Sequence, residues 1–301
     1  MLKKKIVLLA IMIVVTLLGV GVTVVCDKKE TNQVDDTLTI VTSFYPIYIA
    51  TENIVDGVKG IELVNLTQNQ GGCLHDYQLT TTDMRKLENA DIFIINGGGM
   101  EGFIEEILKT YPQITVIDAS KGIKLLGEAS EKNAHVWMNP DRYRMQLENI
   151  TKGLSTANQV NEARYQKNCD TYSKKVAALS KEIKSLDASK LKNGIISFHD
   201  AFAYLADALS IPVIHSIDLD KDTYLSAGEV ADVIDEVREN NVTYIFSEEQ
   251  LSESSPKRVA EETGATLCII DSLVSGDTDK DAYLTGMQKN IKMLKQVLED
   301  E

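Results

Sequence analysis

Positive charge is in short supply in this chain. Lysine and arginine number 31 against 45 aspartates and glutamates, and three of the cations are the N-terminal Lys3, Lys4 and Lys5. Beyond those three, 28 basic residues leave a net charge of about −17. That sign disfavours nucleic acid, which binds through cationic contacts to phosphate, and it attracts free cations only weakly and without specificity. Cysteine is scarce as well. Past Cys26 there are only Cys73, Cys169 and Cys268, an odd number that does not make a disulfide framework. No H-E-x-x-H pattern occurs, and no proline falls between Pro140 and Pro212. Histidine is the most informative scarcity, with four in 301 residues.

What is present is the composition of a folded protein: 44% hydrophobic and 25% charged residues, which excludes a disordered chain. The N-terminus MLKKK followed by the uncharged stretch Ile6 to Val25 reads as an export signal, or as an uncleaved anchor of bilayer-spanning length. Cys26 stands where a lipoprotein signal places its lipid-bearing cysteine, although Val25 before it is not the small residue such signals prefer. Residues 27–36 are polar and read as a tether. Both readings place the body outside the cytoplasm and attach it to the membrane.

The body predicts an α/β fold of two lobes with parallel-type sheets, joined by a long rigid helix. Apolar runs at 38–43, 61–66, 91–96 and 114–117, then at 194–198, 213–217, 242–247 and 266–270, alternate with helical patterns such as 82–89, 201–208 and 227–239. In the proline-free interval Tyr165, Cys169, Tyr172, Val176, Leu179, Ile183 and Leu186 recur at spacings of three and four. That stripe predicts one helix over 161–187, roughly 40 Å long at about 1.5 Å per residue. The organisation expected is a signal or anchor over 1–26, a tether over 27–36, a first lobe over 37–156, a connecting helix over 157–188 and a second lobe over 189–301.

Three histidines stand in short motifs: LHDYQ at His75, AHVWMNP at His135 and SFHDAF at His199. His199, Glu248 and Asp271 each directly follow a predicted strand, so they share the carboxyl edge of one sheet, where open α/β folds bind ligands. His75 and His135 lie in connections of the first lobe. Facing edges that offer imidazoles and a carboxylate make a cleft suited to a transition metal. His215, inside a strand, reads as an ordinary structural histidine. Asp271 reads equally as a turn or cap residue, and Glu248 with Glu249 as a solvated pair.

Two other chemistries are open to the same residues. Gly97, Gly99 and Gly102 spell G-x-G-x-x-G after a strand, with Asp118 after the next, as an NAD-dependent oxidoreductase requires. Three histidines with an open water position, and Glu248 or Glu249 as base, would make a zinc hydrolase.

The segments TSFYPIY from Thr42, HDYQLTTTDMRKLENAD from His75, NGGGMEGF from Asn96, HVWMNP from His135, FHDAFAYLA from Phe198, EEQLS from Glu248 and the Asp271 segment with DAYL at Asp281 occur in one order. Over about 38–298 the chain thereby resembles the zinc- and manganese-binding receptors of bacterial ABC importers, the cluster A-I solute-binding proteins. The resemblance implies a metal held by His75, His135, His199 and Asp271, two ligands from each lobe, and no enzymatic activity. It implies a cargo of Zn²⁺, with Mn²⁺ the alternative, delivered to a membrane permease by a monomeric receptor whose second lobe closes over the ion. Manganese-selective relatives often carry a carboxylate where His199 stands, which tilts the choice toward zinc. The histidine-rich loop of some zinc receptors is absent, the residues before His135 being only GEASEKNA. Cys73 and Cys268, near His75 and Asp271 in sequence, are candidates for a bond to each other or a thiolate on the metal.

Overall fold

The computed structural model describes residues 37–67, 74, 77–128, 131–217, 225–248 and 254–299. The apolar stretch 6–25, Cys26, Cys73, His75 and Glu249 lie outside the described residues. Among the described residues no helix is long and apolar enough to cross a membrane.

The first lobe is built on β1 (Leu38–Thr42), β2 (Ile61–Asn65), β3 (Ile92–Ile95) and β4 (Thr115–Asp118), all parallel in the order β2-β1-β3-β4. Helices α1 (Tyr45–Val55), α2 (Thr81–Glu88) and α3 (Ile104–Thr110) make the crossovers. The central strand β3 reads IFII and is buried throughout, as a strand covered on both faces must be. Thr80 and Asp83 close a reciprocal capping box that fixes where α2 begins. A short antiparallel hairpin, β5 (Leu126–Glu128) and β6 (Glu131–Asn133), leads into a single 3-10 turn at Val136–Met138. Asn139 then caps α4 (Pro140–Ala157), with proline at its first position.

The predicted long helix is α5 (Glu162–Lys184), 23 residues and about 35 Å at 1.5 Å per residue. It buries Tyr165, Cys169, Tyr172, Val176, Leu179 and Ile183, the stripe read from the sequence. It stops short of the expected 187 because the Asp187 carboxylate accepts from Ser189 N (3.0 Å) and caps the following turn instead. Its N-terminal half is tied to the first lobe, where Asn168 Nδ2 donates to the Ile54 carbonyl (2.9 Å). Its C-terminal half is tied to the second, through Lys175 to Asp281 (2.8 Å) and Glu182 to Lys295 (2.5 Å).

The second lobe repeats the plan with β7 (Ile195–Ser197), α6 (Phe202–Leu209), β8 (Val213–Ser216), α7 (Ala227–Glu239), β9 (Tyr244–Glu248), α8 (Ser254–Thr263), β10 (Thr266–Ile270) and α9 (Ala282–Glu299). Its sheet is again parallel, in the order β10-β9-β7-β8. The lobes share their main core: buried residues run continuously from Ile40 and Phe93 in the first to Ile270, Tyr283 and Leu294 in the second. A second cluster containing Ile196, Phe198, Ile245 and Val259 lies apart from it. Polar bonds cross the same seam. Trp137 Nε1 donates to the Ser272 carbonyl (2.8 Å), Tyr283 Oη to the Trp137 carbonyl (2.8 Å), and Asn139 Nδ2 to Asp207 (2.9 Å). An interface that is apolar, buried and hydrogen-bonded resists wide opening.

Candidate metal centre

Parallel strands deliver their last residues to one edge, and in the second lobe that edge carries the chemistry. The chain leaves β7 and reaches His199 two residues later, β9 ends on Glu248, and Asp271 follows β10. Ile270 and Glu248 are register partners, so Asp271 sits one step past its neighbour's carboxylate. The first lobe brings His135 to meet them just before the 3-10 turn. The His135 and His199 ring centroids are 5.0 Å apart, although the two residues belong to different lobes. Both are almost completely buried, at 1% and 5% exposure.

Each imidazole is held from behind at Nδ1. His199 Nδ1 lies 2.7 Å from Glu248 Oε2, and His135 Nδ1 lies 2.9 Å from Asn133 Oδ1. At His135 the hydrogen-bond acceptor places the proton on Nδ1 and leaves Nε2 as the lone pair able to bind a metal, and at His199 the adjacent carboxylate favours the same arrangement electrostatically. Glu248 is therefore not half of a solvated pair: it is 3% exposed and also takes the Ser272 hydroxyl. The same contacts occupy one of the two carboxylates that a hydrolase could use as its base, Glu249 being the other.

Asp271 has the turn role that its residue type suggested. Its Oδ1 accepts from Leu273 N (2.8 Å), while Asn290 clasps its backbone from both sides, at 2.9 Å to the N–H and 2.8 Å to the carbonyl. Leu273 adopts a left-handed φ of 59°, a strained conformation for a leucine. The turn aims the Ser272 carbonyl at Trp137 and its hydroxyl at Glu248. The negative charge of Asp271 reaches Tyr45, whose hydroxyl is pushed up to about 12, by burial first and by that charge second.

His75 lies outside the described residues, and its neighbour Leu74 is buried in the main core. Among the described residues no three histidine, cysteine, aspartate or glutamate side chains are grouped so as to hold an ion. Sequence reasoning passed over Asn133, which stands two residues before His135. It also did not anticipate that Trp137 would lie against His135, with ring centroids 5.2 Å apart.

Cys268 is a free, fully buried thiol whose burial pushes it up to about 12, which suits neither a disulfide nor a thiolate ligand. His215, on β8, the edge strand of the second-lobe sheet, pairs with Glu236 (2.6 Å). The first amides of the glycine loop are not open to a dinucleotide phosphate. They already hold a carboxylate: Glu101 accepts from Asn96 N (2.7 Å) and Gly97 N (3.0 Å). Gly97 has a φ of 78°, and a Cβ on it would lie 1.9 Å from Asp118 Oδ1, so its lack of a side chain serves a tight turn.

A family model for the zinc-uptake complex component A, periplasmic, named ZnuA, matches residues 40–297. The zinc-binding lipoprotein AdcA of Streptococcus pneumoniae is 28% identical over 300 residues, covering 92% of this chain and 59% of AdcA. The chain thus spans less than two thirds of that relative. The high-affinity zinc uptake system protein ZnuA of Bacillus subtilis is 28% identical over 292 residues, covering 90% of this chain and 91% of its own. The Zn(II)-bound ZnuA-like domain of Streptococcus pneumoniae AdcA has the same fold, with a TM-score of 0.72 at 26% identity over 88% of this chain and 100% of that one. With two imidazoles converging from parallel-sheet lobes and a match over nearly the whole described body, the chain belongs to the ZnuA family of metal-binding solute receptors.

Proposed function

We propose that this protein is an extracytoplasmic receptor that captures Zn²⁺ between its lobes and delivers it to an ABC permease, with no catalytic step of its own. The observation that carries the reading is the pair His135 and His199, drawn from separate lobes to 5.0 Å between ring centroids, each with Nδ1 against a fixed acceptor. His75 supplies the third imidazole and Asp271 the carboxylate, two ligands from each lobe. Three neutral imidazoles and one carboxylate suit tetrahedral Zn²⁺, and Mn²⁺ stands below it in the affinity order for such a set. The zinc named for AdcA and ZnuA supports the same cargo. A fourth protein ligand closes the coordination sphere, which favours capture over hydrolysis.

The hydrogen-bonded seam between the lobes limits closure to small displacements around the ion. The receptor works as a monomer over the lobes 37–156 and 189–301 and the connecting helix 157–188. It is held at the membrane through lipid on Cys26 or through an uncleaved apolar segment, and the lipoprotein naming of AdcA favours the former.

Elemental analysis of the purified chain tests the reading. One zinc per chain is expected, with the metal lost in His135→Ala and manganese displaced by equimolar zinc. Stoichiometric zinc retained by His135→Ala, or manganese that zinc does not displace, would overturn it.

A further inference from the structure

The residue behind His135 does more than fill space. The backbone N–H of His135 can only donate, and it points at Asn133 Oδ1 (2.9 Å). At the other end of the same amide, the Asp200 carbonyl can only accept, and it faces Asn133 Nδ2 (2.7 Å). The orientation of the amide is therefore fixed from both sides by chemistry. With Oδ1 turned toward the imidazole, the 2.9 Å contact to His135 Nδ1 requires the ring to carry its proton there.

Asp200 belongs to the second lobe and directly follows His199. One amide thus touches a metal-facing histidine of the first lobe and the backbone next to a metal-facing histidine of the second. Tyr204, fully buried on α6, reinforces the junction: its hydroxyl donates to the Asn133 carbonyl (2.7 Å) and accepts from Leu126 N (3.0 Å).

We propose that Asn133 is a positioning residue that couples the two lobes at the metal centre, setting the tautomer of His135 while holding its distance from His199. This rests on the reading of both histidines as ligands. A neutral amide stands behind His135 and a carboxylate behind His199, so the two imidazoles are backed by acceptors of different charge. Only the amide, with a donor as well as an acceptor, can serve both lobes at once.

The test compares wild type, Asn133→Ala and Asn133→Asp. In the metal-free proteins, ¹⁵N-detected imidazole spectra assign the proton on His135. Wild type is expected to carry it on Nδ1, Asn133→Asp to keep it there through the retained acceptor, and Asn133→Ala to shift toward the Nε2–H form. In zinc competition titrations Asn133→Ala is expected to lose roughly 10- to 100-fold in affinity, the range for removing a partner of a ligating histidine. Asn133→Asp, lacking the donor to Asp200, is expected to fall between it and wild type. A proton on Nε2 in wild type overturns the proposal, as does zinc affinity unchanged in Asn133→Ala. If Asn133→Ala does not fold, the wild-type tautomer and the affinity of Asn133→Asp decide the matter, and wild-type affinity in the latter overturns the coupling. Because the tautomer is read without metal, a wild type that binds no zinc sinks the receptor reading while leaving the tautomer assignment to stand or fall on its own spectrum.

Discussion

Nδ1 of His199 lies 2.7 Å from Oε2 of Glu248, and both side chains are buried at the ends of neighbouring parallel strands. The carboxylate fixes the ring and increases the electron density that Nε2 can offer a cation. Glu248→Gln keeps the shape but removes the charge, and Glu248→Ala also abandons the Ser272 hydroxyl. We expect zinc affinity to fall by roughly 10- to 100-fold in Glu248→Ala and by less in Glu248→Gln, measured by chelator competition. Equal affinity in wild type and Glu248→Ala would show that His199 does not need this partner.

The edge that carries His199, Glu248 and Asp271 was legible in the sequence because parallel strands buried on both faces are written as short apolar runs. The residue that ends each run is then placed by topology alone. The pairing of Glu248 was not legible. Two consecutive glutamates look solvated, and the partner that buries the first lies 49 positions away at His199. Asn133 was invisible for a different reason: β5 and β6 are three residues each and carry no apolar alternation to mark the hairpin. The shared core between the lobes is likewise a property of packing, since the stripes on α4, α5 and α9 show that each helix is covered without saying by which lobe.

Glu101 gives a pH dependence with a definite sign. It is wholly buried beneath the glycine loop, and desolvation raises it from 4.5 to about 7 despite the hydrogen bonds from the Asn96 and Gly97 amides that lower it. Between those values the folded protein holds a proton that the unfolded chain has lost. The stabilising contribution is therefore full below about pH 4.5 and is lost as pH rises through 7. The difference amounts to about 3 kcal/mol across the window. Glu101→Gln removes the titration, at the cost of setting an NH2 donor against one of the two backbone N–H groups that Glu101 accepts from. In urea unfolding of metal-free protein, the variant should be less stable than wild type at pH 5, and that deficit should shrink as pH rises to 8 and wild type loses its proton. A stability difference that is constant from pH 5 to 8 would contradict this.

Cys268 offers a chemical test of the strand that leads to Asp271. The thiol is buried in the main core and pushed up to about 12 by desolvation, so its reactive thiolate is scarce at neutral pH. Native protein treated with iodoacetamide should leave Cys268 unmodified in peptide mass spectra, whereas protein unfolded in guanidinium should be alkylated there without prior reduction. A requirement for reductant in the unfolded sample would reveal a disulfide and refute the free thiol.

Trp137 is the chain's single tryptophan, and its indole lies 5.2 Å from the His135 ring by centroids while its Nε1 is fixed to the Ser272 carbonyl at 2.8 Å. It therefore packs at a tilt against the first-lobe histidine and bonds the turn after Asp271 through its Nε1 edge. An ion bound to His135 changes the charge and the motion of the group nearest the indole, and intrinsic fluorescence has no other tryptophan to dilute the signal. Zinc titration of metal-free protein should change the emission and saturate at one equivalent, with no change in His135→Ala. Because the indole sees both sides of the seam, an Asp271→Ala variant should keep a fluorescence response but saturate at higher zinc. If emission stays flat while equilibrium dialysis records one bound zinc, the ion sits away from His135 and the ligand set must be reassigned.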